Sequence, residues 1–101
     1  MSIERRVEDN GKRLVIVIQG RFDFSQHKAF RDAYKEQTGK VHEYLIDLSG
    51  ASYLDSSALG MLLLLRERAG DENAKVSIKG ATSEVRRVLD IANFGRLFTI
   101  L

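Results

Sequence analysis

Residues 44–70 read YLIDLSGASYLDSSALGMLLLLRERAG, and the fold turns on how this stretch is parsed. Tyr44 to Leu48 is apolar enough for a buried strand, Gly50 opens a loop, and a polar triplet Asp55-Ser56-Ser57 precedes an apolar helix from about Ser56 to Ala69. One side-chain acceptor satisfies the exposed N–H groups of a helix start. Three candidates stand here in a row, and none has the Glu or Gln three positions on that completes a capping box. Hydroxyls beyond what a helix start requires mark this as the point where function is to be sought. The helix is ~21 Å long at the usual rise per residue. Leu59, Leu62, Leu63 and Arg66 share one side, and Met61, Leu64 and Leu65 widen the apolar surface beyond what a single sheet face covers. A neighbouring helix or a partner must cover the rest. Arg66 and Arg68 suit the C-terminal turn, and Gly70 suits the left-handed residue that ends it.

Working outward, Ile3 to Val7 is a strand whose Glu4, Arg5 and Arg6 suit a sheet edge. Asp9-Asn10-Gly11 is a hairpin turn, and Leu14 to Ile18 a β-branched strand buried on both faces, ending at Gln19-Gly20. Ser25 is the expected N-cap of a helix carrying Ala29, Phe30, Ala33 and Tyr34, with Gly39 as its stop. On the other side, Lys75 to Lys79 alternates as a strand, and Thr82 caps a helix burying Val85, Val88, Leu89 and Ala92. Gly95 ends that helix, and Leu97 to Leu101 is a short last strand or an extended tail. The order β-β-α-β-α-β-α predicts an α/β fold: a mixed, largely parallel sheet of about four to five strands, its faces covered by three or four helices.

The chain of 101 residues is sized for a single domain over 1–101. Its net charge is +2, its basic residues never run beyond two, and three tyrosines and five phenylalanines are its only aromatics, which argues against a nucleic-acid interface. Without cysteine there is neither a disulfide nor a thiolate metal site. His27 and His42 fit no ligand spacing, so neither a metal nor a cofactor is expected. The longest apolar run, Ala58 to Leu65, is far short of the ~20 residues of a membrane span, so a cytoplasmic protein is expected.

Three segments together resemble the STAS domain, the fold of bacterial anti-sigma factor antagonists. They are Gly20-Arg21-Phe22-Asp23 after the second strand, Leu45-Ile46-Asp47-Leu48-Ser49 in the central strand, and Asp55-Ser56-Ser57-Ala58-Leu59-Gly60. The last is the specific one. The resemblance implies a non-enzymatic module in which Ser57 accepts a phosphate, with Asp23, Asp55 and Ser56 around it. It also implies partner binding through Ser57, Ala58, Leu59 and Met61, while Asp47 is structural. Ala58 stands where the family often has glycine, which should firm the helix start. The implied partners are an anti-sigma factor and/or serine kinase and a serine phosphatase, with no nucleic acid or membrane, for a monomer or weak dimer. Two alternatives stay open: a STAS subunit of a transporter or stress-signalling assembly, and a triplet that only caps its helix. An enzyme would need a base positioned beside the serine, and neither histidine lies in a nucleophile-elbow context.

Overall fold

The computed structural model describes residues 2–37, 40–73 and 75–101. The elements are β1 (Ser2–Glu8), β2 (Arg13–Phe22), α1 (His27–Lys35), β3 (Glu43–Leu54), α2 (Ser56–Ala69), β4 (Val76–Lys79), α3 (Ser83–Ile91) and β5 (Thr99–Ile100). Short 3₁₀ turns occupy Phe24–Gln26, Asp71–Asn73 and Phe94–Arg96. The five strands lie in the order β1-β2-β3-β4-β5. The hairpin makes β1 antiparallel to β2, and every later neighbour is parallel. Asp9, Asn10 and Gly11 all take positive φ in the hairpin turn, as Asn-Gly there predicts. Gly39, expected to stop the first helix, lies outside the described residues.

This order dictates which face is covered. Crossovers between parallel strands are right-handed, so a sheet that grows in one direction only receives every crossover helix on the same face. The core is accordingly one cluster joining Leu14, Ile16, Ile18, Tyr44, Ile46, Leu48, Val76 and Ile78 to the buried sides of the three helices. The expectation that both faces are covered is corrected. The opposite face is polar: Arg6 pairs with Glu8 at 2.6 Å, Arg13 with Glu43 at 2.7 Å, and Lys79 approaches Asp47 at 4.0 Å. Val15 is fully buried yet outside the core cluster, between Arg6 and Leu45 in neighbouring strands. Its burial comes from these neighbours, which is why the run Leu14–Ile18 imitates a two-sided strand.

Three local readings also change. The second and third strands run on past Gly20 and Gly50 to Phe22 and Leu54, where a loop was expected, because they keep pairing through two register shifts. Gly20 meets one shift with φ +82°, and Gly50 lies against Gln19, whose Cγ would be 2.9 Å from a β-carbon there. The α1 start is led by the 3₁₀ turn that Asp23 caps, and Ser25 donates to that cap. The α2 stripe is Ala58, Met61, Leu62 and Leu65, with Leu59 half-buried and Leu63 and Leu64 outside.

Candidate functional site

Parallel strands β2 and β3 end level with each other, Phe22 opposite Leu54, and both side chains are buried. The next residue of each is an aspartate in extended backbone, Asp23 and Asp55, and each caps the turn that follows. Asp55 Oδ1 accepts the Ala58 N–H at 3.1 Å and the Ser57 hydroxyl at 2.6 Å. Asp23 Oδ1 accepts the Ser25 N–H at 3.0 Å and the Ser25 hydroxyl at 2.5 Å. The two Asp-x-Ser units share the serine-to-aspartate hydroxyl bond, differ in the backbone donor (Ala58 for Asp55, Ser25 for Asp23), and stand side by side at the carboxyl end of the sheet. A third, Asp47-Leu48-Ser49, repeats the Asp23 pattern within β3, with the Ser49 N–H at 2.9 Å and its hydroxyl at 2.7 Å from Asp47 Oδ1.

The electrostatics favour ionised carboxylates. The Ser57 hydroxyl, and then the Ala58 N–H, hold Asp55 below the usual aspartate range, against partial burial and the like charge of nearby Asp23. The Ser25 hydroxyl and N–H do the same for Asp23, helped by Arg21. That guanidinium lies 3.5 Å from Asp23 and 3.8 Å above the Tyr53 ring centroid. An ionised, helix-capping carboxylate thus accepts the Ser57 hydroxyl proton and fixes the hydroxyl at the head of α2.

The structure brings Asp23, Asp55 and Ser57 to one rim. Of the triplet, Asp55 is the cap, Ser57 is half-buried, and Ser56 is exposed. Leu59 is half-buried, but Ala58 at 0% and Met61 at 4% exposure are core residues. The expectation that Ala58 and Met61 present a surface to a partner is corrected: both are buried, and the exposed large apolar side chains of α2 are Leu63 and Leu64. Sequence reading took Ser25 as a helix cap and missed its bond to Asp23, although the Asp-x-Ser spacing repeated at 23, 47 and 55 was visible. It also passed over Phe24, which is 67% exposed and stacks on the His27 ring at 5.2 Å.

The strand order never reverses, so the sheet has no switch point of the kind where α/β folds open a ligand crevice. A depression lined by Glu43, Lys75, Ser77, Arg96 and Thr99 among others lies at the amino ends of the strands, away from the capped rim. Among the described residues no cluster of His, Asp or Glu is placed to hold a metal ion, and no helix is long and apolar enough to cross a membrane.

Comparison with known proteins agrees with this fold. The family described as "Mlab, STAS domain" matches residues 6–101. A STAS-domain containing protein of Pseudomonas aeruginosa (strain UCBPP-PA14) is 52% identical over 100 residues, 99% of each chain. Among solved structures, an anti-sigma factor antagonist from Mycobacterium paratuberculosis superposes with a TM-score of 0.80 at 24% identity, covering 98% of this chain and 85% of that one. The Bacillus cell fate determinant SpoIIAA in its phosphorylated form superposes at 0.77 and 16%, covering 99% and 91%. At these identities the superpositions speak to the fold.

Proposed function

The chain belongs to the STAS domain family, and on that premise we propose that it is an anti-sigma factor antagonist switched by phosphorylation of Ser57. In this reading the unphosphorylated protein, acting in the cytoplasm, sequesters an anti-sigma factor or serine kinase and so frees a sigma factor. A serine phosphatase resets it. The module itself is not an enzyme. The observation that carries the reading is the Ser57 hydroxyl, half-buried at the head of α2 and held at 2.6 Å by the carboxylate that caps the same helix.

Phosphorylation would replace a neutral donor by a group of roughly −1.5 to −2 charges. Asp55 would lose its bond from Ser57 and face a like charge, with Asp23 close by. The positive end of α2 offsets part of this, by about 0.3–1 kcal/mol. The Ala58 N–H bond to Asp55 and the buried stripe of α2 do not depend on the hydroxyl, so the fold persists and the change is felt at the surface. A partner packed over Ser57 and the half-buried Leu59 would have to desolvate the phosphate. Burying an unpaired charge costs several kcal/mol, and each 1.4 kcal/mol is about tenfold in affinity. A hundredfold loss of binding therefore needs no conformational change. Ala58 and Met61 shape this surface from beneath.

The test is intact-mass measurement and phosphopeptide mapping of the chain recovered from its native cells, beside Ser57→Ala. One phosphate on Ser57, absent from the variant, is the expected result. A phosphate elsewhere, or none under any growth condition, contradicts the reading.

A further inference from the structure

The two edges of the sheet are unlike. β5 ends one side after only two residues, Thr99–Ile100, too few to template another strand. β1 ends the other side with seven, Ser2–Glu8, in unbroken register with Gln19–Arg13 and without a bulge or a proline. An outermost strand pairs through one side only, so alternate N–H and C=O groups along β1 point away from β2. A long, regular edge of this kind is where strand addition takes place. The side chains along it decide what can be added.

Pairing with β2 sorts those side chains into two rows. Ile3, Arg5 and Val7 stand opposite Ile18, Ile16 and Leu14, which belong to the core, so this row is on the helix side of the sheet. Ile3 packs against the core, whereas Val7 near the other end of the strand is 46% exposed. Ser2, Glu4, Arg6 and Glu8 alternate with them on the open face, where Arg6 is bonded to Glu8. A second β1 laid antiparallel, about a two-fold axis through Arg5, brings residues together in pairs. Ile3 faces Val7 of the second copy, Glu4 faces Arg6 and Ser2 faces Glu8, and symmetry repeats each pairing. Only Arg5 meets its own kind, at the axis. A slip of two residues is the smallest that keeps each row on its own face. In one direction it sets Glu4 against Glu8 and Arg6 against Arg6, and in the other Glu4 against Glu4 and Ile3 against Arg5. Of these registers, the one centred on Arg5 alone matches opposite charges on the open face and apolar side chains on the helix side.

We infer that β1 is a self-complementary edge through which two copies of this chain pair antiparallel, joining their five-stranded sheets into one continuous sheet. The occupant is a second copy because the complementarity of both rows is internal to Ser2–Glu8. Arg5 keeps the association reversible, since like charges directly opposite each other work against pairing. The axis stands perpendicular to the sheet and reverses the strand direction between the copies. The two rims that carry Ser57 therefore point to opposite ends of the joined sheet, and each follows β3, away from the seam. The inference goes beyond the switch proposed above and does not rest on it.

The test is sedimentation equilibrium of the full chain from micromolar to millimolar concentration, beside three variants at exposed positions. Wild type should dimerise reversibly. Arg5→Thr removes the like charges, keeps a strand-forming residue, and should dimerise more tightly. Glu4→Arg and Arg6→Glu each set like charges opposite one another on both sides of the axis, so each alone should dimerise about tenfold more weakly than wild type. Mixed in equal amounts, these two variants restore opposite charges at both places and should form a heterodimer close in affinity to the wild-type dimer. Circular dichroism should be the same for every form, and amide exchange should slow within Ser2–Glu8 as concentration rises. Wild type and Arg5→Thr that both stay monomeric at millimolar concentration would overturn the inference, leaving the edge to a strand from another protein. A dimer indifferent to both charge reversals, folded variants that fail to pair on mixing, or exchange protection mapped away from β1 would overturn it equally. None of these readouts depends on whether Ser57 is phosphorylated, so the two proposals can fail separately.

Discussion

Replacing Asp55 by alanine removes two hydrogen bonds at once, the 3.1 Å bond that caps α2 and the 2.6 Å bond that anchors Ser57. Loss of an N-cap costs about 0.5–2 kcal/mol. The attraction between an ionised cap and the helix dipole, about 0.3–1 kcal/mol, is partly contained in that figure. A total near 1–2 kcal/mol corresponds to a fall in Tm of roughly 4–8 °C for each kcal/mol in a domain of this size. Asp55→Asn keeps an acceptor and loses only the charge, so its Tm at neutral pH should stay well above that of the alanine variant. The pH dependence has a definite sign. Folding lowers the Asp55 pKa, so its ionic contribution is present above the unfolded value of about 3.9 and is lost as pH falls through the lower folded value. Thermal melts from pH 2.5 to 7 should therefore show wild type and Asp55→Asn separated at neutral pH and converging below about pH 4. An alanine variant that melts within 2 °C of wild type would refute the cap. Curves for wild type and asparagine that stay parallel to the acid end would refute the electrostatic part.

Three further substitutions probe neighbouring claims. Leu62 is fully buried in the stripe of α2, so Leu62→Ala should cost about 2–5 kcal/mol in urea unfolding, and under half a kcal/mol would mean that the helix faces another way. Ser56 is exposed and Asp55 is the cap, so Ser56→Ala should change stability by less than about 0.5 kcal/mol and leave phosphorylation of Ser57 intact. Asp23 caps the Phe24–Gln26 turn, so Asp23→Ala should lower Tm by a few degrees and Asp23→Asn should restore it. Phosphorylation rates of the same pair separate that structural role from any direct service to Ser57.

What could be read from the chain, and what could not, follows from the range of the forces involved. Local signals were sufficient for Asp9-Asn10-Gly11, for Thr82 as a cap and for Gly70 as a left-handed stop, because each is settled within a few residues. The strand and helix order was equally legible, as was the STAS resemblance carried chiefly by Asp55-Ser56-Ser57-Ala58-Leu59-Gly60, and the sheet is mostly parallel as expected. The facing of α2 was not, since five hydrophobic residues from Met61 to Leu65 carry no period and only packing against the sheet selects Met61, Leu62 and Leu65. The uncovered sheet face was hidden for a similar reason: Val15 is buried by cross-strand neighbours that no local pattern reveals. At the site, the triplet marked the right place in the chain. Its division of labour, with Asp55 capping, Ser57 bound to the cap and Ser56 idle, depends on side-chain directions that three adjacent polar residues do not encode.

The central claim is that one charge at Ser57 decides partner binding without refolding the module. Its most direct test is calorimetric titration of the partner captured from native cells against wild-type, enzymatically phosphorylated, Ser57→Ala and Ser57→Glu protein. Circular dichroism of each form is recorded alongside. The account predicts equal, tight binding by wild type and Ser57→Ala, at least a hundredfold weaker binding by the phosphorylated form, weak binding by Ser57→Glu, and superimposable spectra. Equal dissociation constants for all four would contradict it and leave Asp55-Ser56-Ser57 as a helix cap alone.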